Sequence, residues 1–184
     1  MEAIILAGGL GTRIRGVLGD TPKSLAPIQG KAFLYYLLDH LESHGITRVV
    51  LATGFKHESI QNLMGHCYGN ITIDYSPETT PLGTGGAIKK ALIKIKNDKV
   101  FILNCDTFFK IDLKSLWNFH QHHSSDVTMA LKQQDNTSRY GTVQLEGNHV
   151  TGFEEKNVLG KAGLINGGIY IVKRDLFNNT QTPD

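Results

Sequence analysis

The run Leu6-Ala7-Gly8-Gly9-Leu10-Gly11-Thr12-Arg13, followed by Thr21-Pro22-Lys23, is the stretch of this chain best suited to holding anions. Glycines at 8, 9 and 11 let the backbone come close to a ligand and take positive φ at little cost. Successive N–H groups in such a loop form a concave anion site. Arg13 can grip a phosphate through two N–H groups, and Lys23 supplies a point charge. Read alone, the loop favours an ordinary glycine-rich turn carrying two surface cations. Two better-known phosphate motifs are excluded. Gly9-Leu10-Gly11-Thr12-Arg13-Ile14 lacks the third glycine of the dinucleotide fingerprint, and Gly-x-x-x-x-Gly-Lys-[Ser/Thr] is absent.

Other stretches carry candidate chemistry. Gly83, Thr84, Gly85 and Gly86 open a helix expected over 85–96, whose free N–H groups and small residues admit a flat ring against the backbone. A flexible loop leading into a helix is the plain alternative. Asp106, at the end of an apolar strand, suits Mg²⁺, which takes one or two carboxylates, waters and phosphate oxygens; it could also simply cap the turn into Thr107. Glu154-Glu155-Lys156 reads as a solvated strand end, and Gly167-Gly168 as a bulge. His120 and His123 could share a helix face, but no third ligand accompanies them, so they are left out of the site.

The elements that must position these residues follow from hydrophobic periodicity. Apolar runs at 3–7, 49–52 and 100–103 read as strands covered on both faces, as in a parallel sheet. Between them, Phe33, Leu34, Leu37, Leu38 and Leu41 recur at helical spacing, with Gly45 as the stop. A short helix is expected over 57–64, and alternation of Ile71, Ile73 and Tyr75 predicts a half-exposed strand. Asp112 caps a helix that buries Leu113, Leu116 and Trp117, and a strand follows near 127–131. After residue 138 the pattern changes to antiparallel strands over 140–145 and 149–153, with a last strand at 169–172. The fold class is α/β: a doubly wound, mostly parallel, Rossmann-like sheet with helices on both faces and a small antiparallel extension. One domain over 1–184 is expected. The ends of the first and fourth strands, at Gly8 and Asp106, can face one crevice.

Composition limits the partners. A net charge of +2 with no basic block argues against nucleic acid. No apolar run approaches the roughly 20 residues that span a bilayer, and two distant cysteines form no disulfide or zinc pattern. A reducing cytoplasm is the expected compartment, and a homo-oligomer is compatible with the sequence.

Gly-Gly-x-Gly-Thr-Arg at 8–13 with Pro22-Lys23 resembles the signature of the sugar-phosphate nucleotidyltransferases. Leu82–Lys89, Asn104–Phe109, Arg139–Val143, Phe153–Lys156 and Leu164–Tyr170 resemble, within that family, the D-glycero-α-D-manno-heptose 1-phosphate guanylyltransferases. The resemblance implies transfer of GMP from GTP to a heptose 1-phosphate, giving a GDP-heptose for bacterial surface polysaccharide and pyrophosphate. It implies a nucleotide-binding half at 1–110 and a sugar-phosphate-binding half at 111–184, with nucleotide contacts from Leu6, Ala7, Gly8, Gly9, Gly11, Thr12, Arg13, Gly83, Thr84, Gly85 and Gly86. Arg13 and Lys23 are the implied catalytic cations, on the pyrophosphate and near the α-phosphate. Asp106 is the implied ligand of Mg²⁺. Tyr140, Gly141, Glu155, Lys156, Asn166 and Gly167, with Asp106, are implied on the sugar-phosphate side, Lys156 neutralising the acceptor phosphate. Guanine and heptose rest on the resemblance alone. The second metal-binding aspartate that the family carries in a late segment has no counterpart up to Asp184. A mannose or glucose 1-phosphate nucleotidyltransferase, and a nucleotide-sugar-binding relative without turnover, remain open as alternatives.

Overall fold

The computed structural model describes residues 1–9, 11, 16, 19, 21–156 and 160–178. They form two compact units, Met1–Thr128 with the chain from Tyr170 onward, and Met129–Ile169.

The first unit is built on β1 (Glu2–Ala7), an almost wholly buried strand. A small antiparallel pair, β2 (Pro27–Ile28) and β3 (Lys31–Ala32), leads into α1 (Phe33–Ser43), which buries Leu34, Leu37, Leu38 and Leu41. Gly45 follows the helix with φ of 78°, the left-handed stop its position predicts. β4 (Arg48–Thr53), α2 (His57–Met64), the short β5 (Cys67–Tyr68) and β6 (Ile71–Pro77) come next, then α3 (Gly83–Leu92), β7 (Lys99–Asn104) and α4 (Leu113–His123). Asp112 caps α4, accepting from the Lys114 N–H at 3.0 Å and from the Ser115 hydroxyl at 2.6 Å.

β1 pairs in parallel with β4 on one side and β7 on the other, and β4 pairs in parallel with β6. The order is β7-β1-β4-β6-β5, with β5 antiparallel to β6 at the edge. The chain thus winds outward from β1 through β4 and β6, then returns to the other side of β1. That reversal between β1 and β7 is the switch point at which open α/β sheets leave a crevice. Ile4, Val50 and Ile102 pack with Ala87, Ala91 and Leu92 of α3 on one face. Phe101, pointing the other way, meets Trp117 of α4 at 5.4 Å between ring centroids. Helices therefore cover both faces, as the strand composition requires.

α3 stops at Leu92, four residues before the expected end at 96. The Lys94 and Ile95 N–H groups bond to Ala91 and Leu92 in a tighter turn, and the Lys96 and Asn97 N–H groups donate to Glu2 Oε2 at 2.9 and 2.6 Å. A carboxylate from β1 takes the donors that would extend the helix.

The second unit contains β8 (Val127–Gln134) from Met129 on, β9 (Thr142–Glu146), β10 (His149–Glu154) and β11 (Gly163–Lys173) up to Ile169. β9 and β10 form an antiparallel hairpin across Gly147-Asn148, and β9 also pairs with β11 at Ile165↔Thr142. That pairing begins the last strand at Gly163, ahead of the expected 169, despite Asn166-Gly167-Gly168 in its middle. Gly168 has φ of 76°, a local break within the strand.

Glu2 is the principal buried charge of the first unit. It accepts from the two amides above and from Arg48 Nη1 at 2.6 Å, while Arg48 Nη2 reaches Asp74. Burial pushes its pKa up, but the Asn97 amide, Arg48 and the Lys96 amide outweigh this and hold the carboxyl below its ordinary value. The group releases its proton more readily folded than unfolded. Its contribution is therefore full above the unfolded value and lost as pH falls through the folded one. Glu2→Gln is expected to cost roughly 1–3 kcal/mol at neutral pH. Melting curves should show the gap between the two proteins closing towards acid pH.

Candidate functional site

A cavity of about 610 Å³ opens at the carboxyl ends of β1 and β7. Leu6, Ala7, Gly8 and Gly9 line one side, Asn104, Cys105 and Asp106 another, and Glu78, Pro81, Gly83 and Thr84 a third. The pairing Leu6↔Asn104 brings the first two stretches side by side, and the Cys105 N–H continues the ladder to Leu6 O at 3.3 Å. β1 carries no polar side chain past Glu2, so it can be buried while its end supplies backbone groups to the cavity.

Close backbone approach explains one of the glycines. A Cβ on Gly54, just after β4, would lie 2.8 Å from Gly8 O, whereas one on Gly8 would meet the tip of the Glu78 side chain, Oε1, at 2.9 Å. The loops after β1 and β4 therefore touch through main chain. Glu78 stands beside them: its N–H donates to Thr53 O at 2.7 Å, and its Oε2 accepts from the Leu82 N–H at 3.0 Å just before α3.

Lys23 begins a single turn of 3₁₀ helix, Lys23–Leu25, and its ammonium donates to Asp106 Oδ2 at 2.8 Å. The Thr107 hydroxyl donates to the other oxygen at 3.2 Å. Burial tends to raise the Asp106 pKa, but Lys23 and Thr107 outweigh it and hold the carboxyl below the ordinary carboxylate value. It is an anion at neutral pH. The neighbouring Cys105 thiol is pushed up to about 12 by burial and by the Asp106 charge, so it is packing and not a nucleophile.

Among the residues expected to bind nucleotide, Leu6, Ala7, Gly8, Gly9, Gly83 and Thr84 line this one cavity with Lys23 and Asp106. Gly85 and Gly86 lie in the first turn of α3, and Gly11 is not among the lining residues. Thr12 and Arg13 lie outside the described residues. Tyr140, Gly141, Glu155, Lys156, Asn166 and Gly167 belong to the second unit. There, Tyr140, Glu155 and Lys156 are exposed, and Asn166 Oδ1 accepts from the Gly168 N–H at 2.8 Å across the strand break. Glu154, next to the expected pair, is engaged by Thr142 and Gln144. The histidine run divides: His120 is fully buried with Nδ1 2.8 Å from Thr128 Oγ1, and His123 stacks on Phe119. Glu78, Gly54 and Ser24 join the cavity although sequence reasoning passed over them. The position of Glu78, five residues before the Gly83 helix start and directly after β6, was the available signal.

The residues present suit one divalent cation. Asp106 offers an ionised carboxylate at the cavity, and a cation there would complete its shell from waters and phosphate oxygens. Among the described residues no group of three or more His, Cys, Asp and Glu side chains gathers as a metal centre. Among the described residues, a cation at Asp106 would therefore find no second cluster of side-chain ligands.

Residues 2–183 match the Nucleotidyl transferase family. The chain belongs to that family. It is 47% identical over 177 residues to the D-glycero-alpha-D-manno-heptose 1-phosphate guanylyltransferase of Aneurinibacillus thermoaerophilus, covering 96% of this chain and 76% of that one. Identity to the Campylobacter jejuni protein of the same name is also 47%, over 97% of this chain and 79% of the relative. Among solved structures, HddC from Yersinia pseudotuberculosis complexed with GMP-PN superposes with a TM-score of 0.88 at 36% identity, over 98% of this chain and 80% of that one. No helix among the described residues is long and apolar enough to cross a membrane.

The Gly8–Gly54 contact generates a direct test. Gly54→Ala is expected to force the two loops apart, lowering stability by roughly 1–3 kcal/mol and weakening nucleotide binding. Thermal denaturation and calorimetric titration with a non-hydrolysable GTP analogue measure both effects.

Proposed function

We propose that this chain transfers GMP from GTP to D-glycero-α-D-manno-heptose 1-phosphate, releasing pyrophosphate and giving a GDP-heptose. The observation that carries the reading is the single cavity in which a glycine-lined strand end, the Lys23 ammonium and the Asp106 carboxylate meet at the β1/β7 switch point. The names of the two relatives at 47% identity support the heptose and guanylyl assignments. A mannose-1-phosphate guanylyltransferase of Mycobacterium tuberculosis is 33% identical, and this chain spans 50% of its length.

A phosphate oxygen of the sugar phosphate attacks the α-phosphorus of GTP, and the bond from that phosphorus to the bridging oxygen of the leaving pyrophosphate breaks. The attacking oxygen is already ionised at neutral pH, so no general base is required. Both reactants are anions, and catalysis consists of positioning and charge neutralisation. Backbone N–H groups of the Gly8 loop and Arg13 are assigned to the pyrophosphate, and Lys23 to the α-phosphate. Mg²⁺, held by Asp106, supplies further neutralisation of phosphate charge when bound. Tyr140, Gly141, Glu155, Lys156, Asn166 and Gly167 are assigned to the sugar phosphate on their motif resemblance. We assign the reaction to the cytoplasm, where nucleoside triphosphates are available.

Glu78 supports guanine on chemical grounds. Guanine presents N1–H and its 2-amino group side by side, a donor pair that a carboxylate accepts. Adenine lacks that pair. Glu78 lines the cavity next to Gly8 and shares it with Gly83 and Thr84.

Pyrophosphate release measured across five nucleoside triphosphates and several sugar 1-phosphates tests the reading, with GTP and the heptose expected to be preferred. Preference for UTP with glucose 1-phosphate contradicts it. Asp106→Asn should lower the rate by roughly a hundredfold or more without unfolding the chain. Glu78→Gln should raise KM for GTP more than it lowers kcat.

A further inference from the structure

We infer that Lys23 and a divalent cation compete for the Asp106 carboxylate, so that the free protein excludes the metal until a triphosphate draws Lys23 away. This rests on the assignment of Asp106 as the metal ligand made above. Both Asp106 oxygens already accept a bond, one from Lys23 Nζ at 2.8 Å and one from the Thr107 hydroxyl at 3.2 Å. A dication joining that carboxylate with Lys23 in place would bring two positive centres into direct repulsion across one anion. The described residues supply no further cluster of ligands to offset this.

The pair is also built to exchange. The Lys23 and Asp106 side chains are 38% and 48% exposed, and an ion pair this open is weak and readily replaced. The two halves differ in mobility. Asp106 follows a buried strand whose ladder extends to the Cys105 N–H, whereas the Lys23 ammonium rides on a flexible four-carbon stem. The carboxylate stays and the ammonium moves. A triphosphate offers Lys23 a stronger anionic partner and offers the cation oxygen ligands in the same event. Lys23 therefore acts twice, as a guard on Asp106 before nucleotide binds and as a phosphate contact afterwards. Metal and nucleotide become reciprocally coupled through one side chain.

The test is Mn²⁺ binding to the nucleotide-free full chain, read by electron paramagnetic resonance of the unbound ion. Mn²⁺ shares the carboxylate preference of Mg²⁺. Lys23→Met is expected to bind Mn²⁺ on the order of tenfold more tightly than the wild type, the scale of one unit charge acting on a dication at about 5 Å in a water-like medium. Lys23→Gln should reproduce the gain, and circular dichroism checks that both variants are folded. The double variant Lys23→Met/Asp106→Asn should lose it. Lys23 variants that bind Mn²⁺ no more tightly than the wild type overturn the inference. A gain that survives in the double variant overturns both the competition and the Asp106 metal assignment. Pyrophosphate release from GTP by the wild type reads the proposed reaction separately, so either can fail while the other stands.

Discussion

The buried parallel pairing of β1 with β4 and β7 is the constraint on which the first unit depends. A strand hydrogen-bonded on both edges and covered on both faces can carry almost nothing but apolar side chains, and Ala3, Ile4 and Ile5 are wholly buried. Its two ends inherit the polar work. At the amino end, Glu2 collects an arginine and two orphan amides and ends α3. At the carboxyl end, the register sets Leu6 beside Asn104 and Ala7 beside Thr53, so three loops must leave the sheet together. Gly54 is small because its loop runs against the Gly8 backbone there.

The electrostatics of the cavity follow from that crowding. Asp106 is carried out of the core just past the last ladder bond, deep enough to feel burial and open enough to keep its charge. Lys23 balances it from a separate segment of chain 83 residues away in sequence. Cys105, one residue back, shows how steep the gradient is, for its thiol is pushed up to about 12 while the adjacent carboxyl stays ionised. A glycine-lined cavity in which a lysine ammonium stands against the Asp106 carboxylate suits a reaction between two anions, where charge must be neutralised and little proton transfer is needed.

Much of this was legible in the sequence because it lies in local pattern. The apolar runs at 3–7 and 100–103, the stop at Gly45 and the Asp112 cap all depend on near neighbours, and each forms where periodicity and side-chain chemistry require. The family resemblance rested on short motifs that the family match and the 47% relatives bear out. What the sequence concealed depends on distant contacts. The early end of α3 is imposed by Glu2 from the far end of the chain, and the early start of β11 by its pairing with β9. Glu78 and Gly54 matter only because three loops converge, which no periodicity reveals. The Lys23–Asp106 pair was legible as two candidate residues but not as a bond.

The claim at the centre is that a triphosphate lies in the β1/β7 crevice against the Gly8 loop and Lys23. The most direct measurement is a crystal structure of this chain with a non-hydrolysable GTP analogue and Mg²⁺. The account predicts phosphate density within hydrogen-bonding distance of the Gly8 and Gly9 amides and of the Lys23 ammonium, with the base beside Glu78. Nucleotide density confined to another part of the surface, with the Lys23–Asp106 contact undisturbed, would contradict it.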